Sequence, residues 1–469
     1  MMKSNCHISD YIHHSIAGLI MLTGLFLLLA CSGQKEKTTE KALPESSVIH
    51  PQWSRNAVIY EVNIRQYTPE GTFNAFREHL PRLKDLGVDI LWLMPVNPIG
   101  EKNRKGTLGS YYSVRDYKAV NPEFGTLDDF RKLVNAAHDL GFKVILDWVA
   151  NHTSWDHAWI TEHPEWYSQD SLGRMISPFD WSDVADLNYD NPALRNEMLD
   201  AMRFWIKETG IDGYRCDVAM LVPTDFWEQV RTELDKIKPV FMLAEAEQPD
   251  HHTRAFDMSY GWELHNIFKE IARGQKNAGD IDSYFTKQDT LYPHDAYRMY
   301  FITNHDENSW NGTEYERFGE GMSTFAVLSY LLPGMPLIYS GQEAGFNRRL
   351  QFFDKDIIDW NPASALNEFY KKLNLLKRTN PALLNGIEGG SYSRITTAYK
   401  KQVLAFIRQK EDERIIVVTN LSGDSLTVKI KLESVKTEFK EYFSGEEKTF
   451  ADSTLLQLKP WQYYIFVNE

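Results

Sequence analysis

An arginine and an aspartate interrupt a short apolar run near the middle of the chain. The run is Gly213–Val218, and its charged members are Arg215 and Asp217. Side chains two residues apart in a strand share a face, so this pair should point the same way. A charged pair on a mostly apolar strand is costly unless that face lines a polar site. A polar reaction site and a structural ion pair are both consistent with this stretch.

Three other apolar runs also end in residues that could do chemistry. Paired carboxyl groups suit general acid–base and nucleophilic reactions. Each run end taken alone could be a simple loop cap, but so many polar groups together are hard to explain by stability. In chain order the three ends supply Asp147 with Asn151 and His152, Glu245 with Glu247, and Asn304 with His305 and Asp306.

These residues need a scaffold that brings strand ends together. Strand-like runs alternate with helical patterns, and eight such units predict a (β/α)8 TIM barrel, which places its chemistry at the carboxyl ends of its strands. An open doubly wound sheet is the alternative, but the chain has no Gly-rich phosphate loop to support it. The predicted strands are Ala57–Val62, Ile90–Pro95, Lys143–Val149, Gly213–Val218, Val240–Ala244, Ala255–Tyr260 with a weaker fit, Met299–Thr303 and Met335–Tyr339.

Two stretches depart from the repeat. Residues 151–191, after the third strand, are too long for an ordinary loop and are predicted to form a small domain over the mouth of the barrel. From about Ser391 the pattern changes to short alternating runs, which predict an antiparallel β domain. The catalytic barrel is therefore assigned to residues 53–385 and a C-terminal β-sandwich to residues 386–469.

Composition excludes one class of partner. The net charge is −14, and the acidic residues are spread along the chain, so a nucleic-acid partner is not expected. Aromatic residues make up 13% of the chain, with 13 Trp and 23 Tyr. Aromatic faces pack well on apolar surfaces of ligands, although large cores also use them.

The N-terminus indicates export. Ile16–Ala30 is apolar and of signal-peptide length, and Leu28–Gly33 resembles a bacterial lipobox with Cys31 as the lipidated residue. This predicts a signal peptide over residues 1–30, a flexible tether over 31–52, and a lipid anchor to a bacterial membrane on its periplasmic or outer face. A simple cleaved signal or an amphipathic anchor is the alternative. Once Cys6 is removed with the signal peptide and Cys31 is acylated, Cys216 has no partner for an intramolecular disulfide.

The sequence motifs at the ends of these four apolar runs also resemble those of a known family. They are similar, in order, to the four signature regions of the α-amylase superfamily of glycoside hydrolases. Supporting stretches at Leu91–Pro95, Tyr112–Tyr117 and Val184–Asn188 agree, and the resemblance spans about Ala57 to Trp360. The C-terminal β domain is similar to the family's usual third domain.

The resemblance implies a role for each polar residue. Asp217 is implied to be the nucleophile, Glu245 the general acid/base, and Asp306 the carboxylate that stabilises the transition state. A retaining glycosidase needs its two reacting carboxyls about 5–5.5 Å apart. The pKa of Glu245 should be raised so that it holds a proton, while Arg215 should keep Asp217 ionised. Substrate contacts are implied for Tyr112, Asp147, His152, Arg215 and His305.

Some positions depart from the family pattern. Thr68–Thr72 lacks the aspartates of calcium-dependent relatives. Asn151 matches a calcium ligand of many members, with a simple loop cap as the alternative, so calcium dependence is left open. No cofactor is required for the expected chemistry. A Lys-His pair often follows the nucleophile in relatives, whereas this chain has Ala219-Met220-Leu221. This difference argues against an ordinary endo-acting starch α-amylase.

The resulting hypothesis is a retaining hydrolase of α-glucosidic, mainly α-1,4, bonds in starch-derived glucans or malto-oligosaccharides. A transglycosylase with the same three carboxylates and an inactive glucan-binding lipoprotein are the alternatives. The sequence leaves open the linkage preference, endo or exo action, and the oligomeric state.

Overall fold

The structure, a computed structural model, describes residues 45–432, 438–450 and 453–468. The predicted signal peptide and Cys31 lie outside these ranges. Close to the first described residue, the Ser47 amide donates to the Thr253 carbonyl at 2.8 Å, and His50 Nδ1 lies 2.8 Å from Asp257 Oδ1. These contacts hold the last residues of the predicted 31–52 tether against the folded body, so the structure shortens the tether.

Eight parallel strands close into a barrel, which confirms the predicted fold. The strands are β1 Ile59–Val62, β2 Ile90–Leu93, β3 Lys143–Trp148, β4 Gly213–Cys216, β5 Phe241–Ala244, β6 Met258–Tyr260, β7 Tyr297–Tyr300 and β8 Met335–Tyr339. Each strand pairs with its neighbours in the order β1-β8-β7-β6-β5-β4-β3-β2. This closure gathers the carboxyl ends of β3, β4 and β5 side by side.

Side-chain alternation divides the core into an inner and an outer layer. In β5, Phe241 and Leu243 pack inside the barrel, whereas Met242 and Ala244 pack outward with the large cluster beneath the helices. Below the polar mouth the interior is filled by apolar side chains, so the barrel is solid and not a channel. The inner layer comprises Ala57, Ile59, Ile90, Trp92, Ile145, Phe241, Leu243, Met258, Tyr260, Tyr297, Met299, Phe301, Met335 and Leu337.

One glycine sets the spacing between two of the chemically important strands. Gly213 opens β4 with φ at +154°, and a Cβ at this position would lie 1.9 Å from the Phe241 carbonyl oxygen. Only glycine therefore lets β4 approach β5 this closely. The approach keeps Arg215 next to the residues that follow β5.

The helices pack around the outside of the barrel. The helix predicted over Phe73–Leu86 is split in two, because Pro81 lacks the amide hydrogen that a continuous helix needs and so begins a new one. In the described ranges, no helix combines the length and apolar character needed to cross a bilayer. The helices are Ile64–Tyr67, Phe73–Arg77, Leu80–Leu86, Leu127–Asp139, Trp159–Glu162, Pro192–Thr209, Thr224–Asp235, His251–Arg254, Trp262–Ala272, Ala278–Leu291, Glu314–Phe318, Met322–Leu331 and Ala365–Thr379.

The excursion after β3 forms a small ordered unit. Two short strands, His152–Ser154 and Val184–Asp186, pair antiparallel across it. His152 is therefore fixed by the sheet pairing close to the end of β3, at the barrel mouth.

The C-terminal domain is antiparallel, as predicted. Its strands are β9 Ser391–Arg394, β10 Val403–Lys410, β11 Glu413–Asn420, β12 Leu426–Ile430, β13 Glu438–Glu441, β14 Glu447–Thr449, β15 Thr454–Leu458 and β16 Tyr463–Asn468. One sheet has the strand order β9-β10-β11-β16-β13-β14, and β12 pairs with β15 in a second. Apolar side chains from both sheets form one cluster between them.

Candidate active site

Arg215 is the centre of the polar mouth. Its Nη1 donates to Asp147 Oδ1 at 2.8 Å and to Asp217 Oδ1 at 3.0 Å, and its Nη2 lies 2.8 Å from Glu245 Oε2. Its Nε donates to the Tyr260 hydroxyl at 3.1 Å. Carboxylates from three neighbouring strand ends therefore meet at one guanidinium, and Arg215 and Asp217 do share a face.

Aromatic rings enclose this buried cation. The Arg215 guanidinium carbon lies 5.0 Å from the ring centre of Trp92, 5.8 Å from that of Tyr112 and 5.6 Å from that of Tyr260. The ring faces carry partial negative charge, so they favour the cation while excluding water. Sequence reasoning missed the contribution of Trp92 and Tyr260, which read as ordinary core residues.

Asp147 is buried below the barrel mouth. Its Oδ1 accepts from Arg215, and its Oδ2 accepts from Trp92 Nε1 at 3.1 Å and from the Tyr112 hydroxyl at 3.0 Å. The residue is 1% exposed. Both oxygens are thus engaged, and in this geometry Asp147 orients Tyr112 and Arg215. Direct contact with a substrate stays a prediction.

Glu245 has one engaged oxygen and one free oxygen. Its Oε2 accepts the Val218 amide at 2.8 Å and faces Arg215, while Oε1 makes no hydrogen bond within the described residues. Burial raises the pKa of Glu245 and Asp306 adds to the rise, against the opposing effect of Arg215. A proton on Glu245 therefore belongs on Oε1, where it can be donated outward.

Asp217 is affected by the same crowding of negative charge. Burial raises the pKa of Asp217 despite Arg215, and Glu245, Asp147 and Asp306 raise it further. The expectation that Arg215 alone keeps this group acidic is therefore too simple. Asp217 does receive an aligned hydrogen bond from the guanidinium, and such a charge-assisted bond favours the ionised form. Burial therefore raises the pKa of both Asp217 and Glu245, while both carboxyls contact the same guanidinium.

Val218 adopts a strained backbone directly after the predicted nucleophile. Its φ is 36° and its ψ is 46°, a left-handed conformation that is unfavourable for a β-branched residue. This conformation directs the Val218 amide toward Glu245 Oε2, which accepts its hydrogen bond. Nothing in the sequence signals this contact, because valine is a poor indicator of left-handed turns.

His305 forms a second buried pair at the mouth. Its Nδ1 lies 2.5 Å from Glu61 Oε1, and its Nε2 lies 2.8 Å from the Tyr112 hydroxyl and 3.4 Å from Asp306 Oδ2. Burial opposes charge on His305, but Asp306 and Glu61 outweigh it and raise the pKa to about 9. His305 is therefore a cation at neutral pH. Sequence reasoning did not identify Glu61 as a site residue. A glutamate inside the apolar run of β1 is the same kind of signal as Arg215 in β4 and could have pointed to it.

Removing Glu61 should lower the pKa of His305. Replacing it by Gln deletes one of the two negative charges that hold the proton on the imidazole. Because the folded-state pKa of His305 is raised above its ordinary 6.5, the pair stabilises the fold below pH 6.5, and this stabilisation is lost as pH rises through about 9. Titration of the imidazole by NMR should show the lower pKa in Glu61→Gln. Glu165→Gln, next to the exposed His163, is the control; an unchanged His305 titration in Glu61→Gln would contradict the assignment.

His152 has the opposite charge state. Burial lowers its pKa to about 4, so its imidazole is neutral at physiological pH. Asn151 Nδ2 lies 3.3 Å from His152 Nδ1, and the Trp181 ring packs edge-on against the imidazole at 5.4 Å. The mouth thus offers one neutral histidine and one charged histidine.

Asn151, the predicted calcium ligand, has one carboxylate close to it. Its Nδ2 lies 3.4 Å from Asp186 Oδ1, the carboxylate nearest to it by hydrogen bonding. Calcium takes about six to eight oxygen ligands. The described ranges contain no group of three or more His, Cys, Asp or Glu side chains suited to a metal ion. Asn151 as a calcium ligand therefore stays a prediction, and no step proposed here depends on a metal ion.

An open groove of about 370 Å³ lies between the segments that follow β4 and β5. The groove has two walls, which continue from the ends of β4 and β5. One wall begins at Met220, three residues after Asp217, and the other begins at Gln248, three residues after Glu245. The groove is lined by Met220, Leu221, Val222, Pro223, Thr224, Gln248, Pro249 and Asp250.

Comparison with known proteins places this architecture in a family. The family described as "Alpha amylase, catalytic domain" matches residues 54–174 and 162–382, and "Maltogenic Amylase, C-terminal domain" matches residues 394–465. Alpha-amylase MalA of Haloarcula japonica is 28% identical over 394 residues, covering 81% of this chain. The chain spans only 57% of the length of that relative.

Solved structures agree in fold and in length. An α-amylase from Lactobacillus plantarum is 30% identical with a TM-score of 0.79, covering 89% of this chain and 100% of that one. A noncanonic maltogenic α-amylase, AmyB from Thermotoga neapolitana, is 28% identical with a TM-score of 0.81, covering 88% and 98%. The chain therefore belongs to the α-amylase family of glycoside hydrolases.

Proposed function

We propose that this chain is a retaining glycoside hydrolase that cleaves α-glucosidic, mainly α-1,4, bonds in starch-derived glucans or malto-oligosaccharides. The observation that carries the proposal is the shared contact of Asp217 and Glu245 with the Arg215 guanidinium, at the ends of adjacent strands. Two carboxyls held together with different protonation states are what the double displacement requires.

The proposed reaction has two steps. In the first, Glu245 Oε1 gives its proton to the glycosidic oxygen, that bond breaks, and an Asp217 oxygen bonds to the anomeric carbon. In the second, Glu245 takes a proton from water, whose oxygen displaces Asp217 and restores the α-configuration. Asp306 is the most open of the three carboxylates, with a side chain 37% exposed, and its charge stabilises the positive charge developing on the sugar ring.

The substrate assignment rests on family membership. The relatives named above are α-amylases and a maltogenic α-amylase. The family chemistry uses only the protein's own carboxyl groups. By the same proposal, Tyr112, His152 and His305 contact the sugar in the cleaved subsite, with Asp147 and Arg215 supporting them.

A time course with maltoheptaose tests this proposal. Purified protein lacking the residues before Ser32 is compared with Asp217→Asn, products are separated by chromatography, and their anomeric form is read by NMR. Shorter maltosaccharides released as the α-anomer, from the wild type only, are expected. Release of the β-anomer would overturn the retaining mechanism. Binding without turnover would instead favour the inactive glucan-binding lipoprotein.

Transglycosylation is the second candidate, and the groove between the segments after β4 and β5 favours it. Met220–Pro223 makes one wall of this groove apolar, and Met220 and Leu221 belong to the stretch where many relatives have a Lys-His pair. An apolar acceptor side can favour a sugar hydroxyl over water as the second-step nucleophile. Products longer than maltoheptaose in the same time course would establish this activity.

We further propose that the protein is exported and tethered to a bacterial membrane through a lipid on Cys31. Support comes only from the sequence Leu28–Gly33 and the apolar run before it. Cys31→Ala should abolish labelling by a radioactive fatty acid and release the protein from the membrane fraction. Equal labelling of wild type and Cys31→Ala would refute the anchor, whereas Cys216→Ala should behave as the wild type.

A further inference from the structure

A row of aromatic rings leads outward from the proposed catalytic site. The Tyr112 ring stacks on His305 with ring centres 5.5 Å apart, and Phe352 lies nearly parallel to Tyr112 at 6.2 Å. Trp310 packs on Phe352 at 5.2 Å and on Phe353 at 5.6 Å. Trp310 thus ends a continuous aromatic surface that begins at the predicted sugar-contacting residues.

The end of this row is open to solvent. Trp310 is 51% exposed, which is unusual for the largest apolar side chain. A half-exposed indole at the rim of a binding cleft keeps an apolar face available for a ligand. The C–H groups of a pyranose ring form a flat apolar face that suits such a surface.

The backbone that carries Trp310 is firmly anchored. Residues Glu307–Asn311 form a single π-helical turn, a conformation often found at functional sites. Asn308 Oδ1 accepts the Leu350 amide at 2.9 Å, and Asn311 Nδ2 donates to Glu307 Oε1 at 2.9 Å. Glu307 Oε2 in turn lies 3.1 Å from Arg317 Nη1. The backbone that carries the indole is therefore held in place, so little backbone freedom is lost when a ligand stacks on the ring.

We propose that Trp310, supported by Phe352, is a stacking platform for an α-glucan ring beyond the one held by Tyr112 and His305. This inference rests on the proposed function and extends it, because a platform at the outer end of the row favours longer chains over short ones. Trp310 is thus a specificity-determining residue and takes no part in the proton transfers.

Chain-length dependence tests the platform. Trp310→Ala should lower kcat/KM for maltoheptaose by roughly tenfold, mainly through KM, the order expected for one aromatic contact. Activity on 4-nitrophenyl α-glucoside, which has one sugar ring, should be unchanged, and Trp310→Phe should retain most of the wild-type preference. Ile387→Ala, at another exposed apolar residue, is the matched control and should leave the activity on both substrates unchanged.

Binding separates failure of the platform from failure of the proposed function. In the Asp217→Asn background, calorimetry with maltoheptaose should show weaker binding when Trp310→Ala is added. If maltoheptaose is not turned over by the wild type, the proposed function fails, and this affinity difference still decides the platform. Equal affinity with and without Trp310, or an equal loss of activity on both substrates, would overturn the platform.

Discussion

Glu245→Gln should reduce kcat by about 10²–10⁴-fold while leaving glucan binding largely intact. Glutamine keeps the shape of the side chain, and its amide oxygen can still accept the Val218 amide, which Glu245 Oε2 accepts at 2.8 Å. The proton that Glu245 would hold on Oε1 is lost, so the leaving oxygen departs unprotonated. The measurement is steady-state kinetics on maltoheptaose, with affinity followed by calorimetry.

Glu247→Gln is the matched control for this variant. Glu247 follows the same strand end two residues later, but its Oε1 pairs with Arg298 Nη2 at 2.8 Å. This control should keep nearly full activity. A kcat equal to that of the wild type in Glu245→Gln would contradict the role of Glu245 as the acid.

In the wild type, kcat should fall as pH rises through the raised pKa of Glu245, because the acid loses its proton.

Arg215→Met should abolish activity and destabilise the fold by about 3–5 kcal/mol, the usual cost of leaving buried charges unpaired. The side chain is fully buried, and its loss removes the cation shared by Asp147, Asp217 and Glu245. The carboxyls would then take up protons, and Asp217 could not attack as an anion. Chemical denaturation at several pH values measures the stability, and it should recover partly at low pH.

Arg231→Met separates the catalytic effect from the structural one. Arg231 is also a buried arginine. Its Nη1 lies 2.8 Å from the fully buried Asp257, the residue immediately before β6. This variant should lose stability in a similar way but retain kcat at temperatures where it remains folded. Equal catalytic loss in both variants would show that Arg215 acts only through the stability of the barrel.

Much of the scaffold could be predicted because local sequence determines it. The alternation of strand and helix patterns gave the barrel, and polar residues at the ends of apolar runs marked the mouth. Asp217 and Glu245 could be expected to meet because β4 and β5 are neighbours in a barrel. Asp147 was also expected at the mouth, and only the structure shows that both of its oxygens are already engaged.

Other features depend on contacts that local sequence does not contain. Glu61 and His305 are 244 positions apart and meet only because the barrel closes between β1 and β8. The left-handed conformation at Val218 opposes the backbone preference of valine, so residue propensities do not predict a turn there. The contact between Trp310 and Phe352 likewise joins two loops whose relative position no periodicity indicates.

Trapping of the covalent intermediate tests the central claim most directly. Glu245→Gln is incubated with α-maltosyl fluoride, whose fluoride leaves without a proton, while hydrolysis of the intermediate lacks its base. Intact mass spectrometry should show the added mass of one maltosyl group, and peptide mapping should locate it on Asp217. A maltosyl group on a different carboxylate, or consumption of the fluoride with the β-anomer of maltose as the first product and no adduct, would contradict the account.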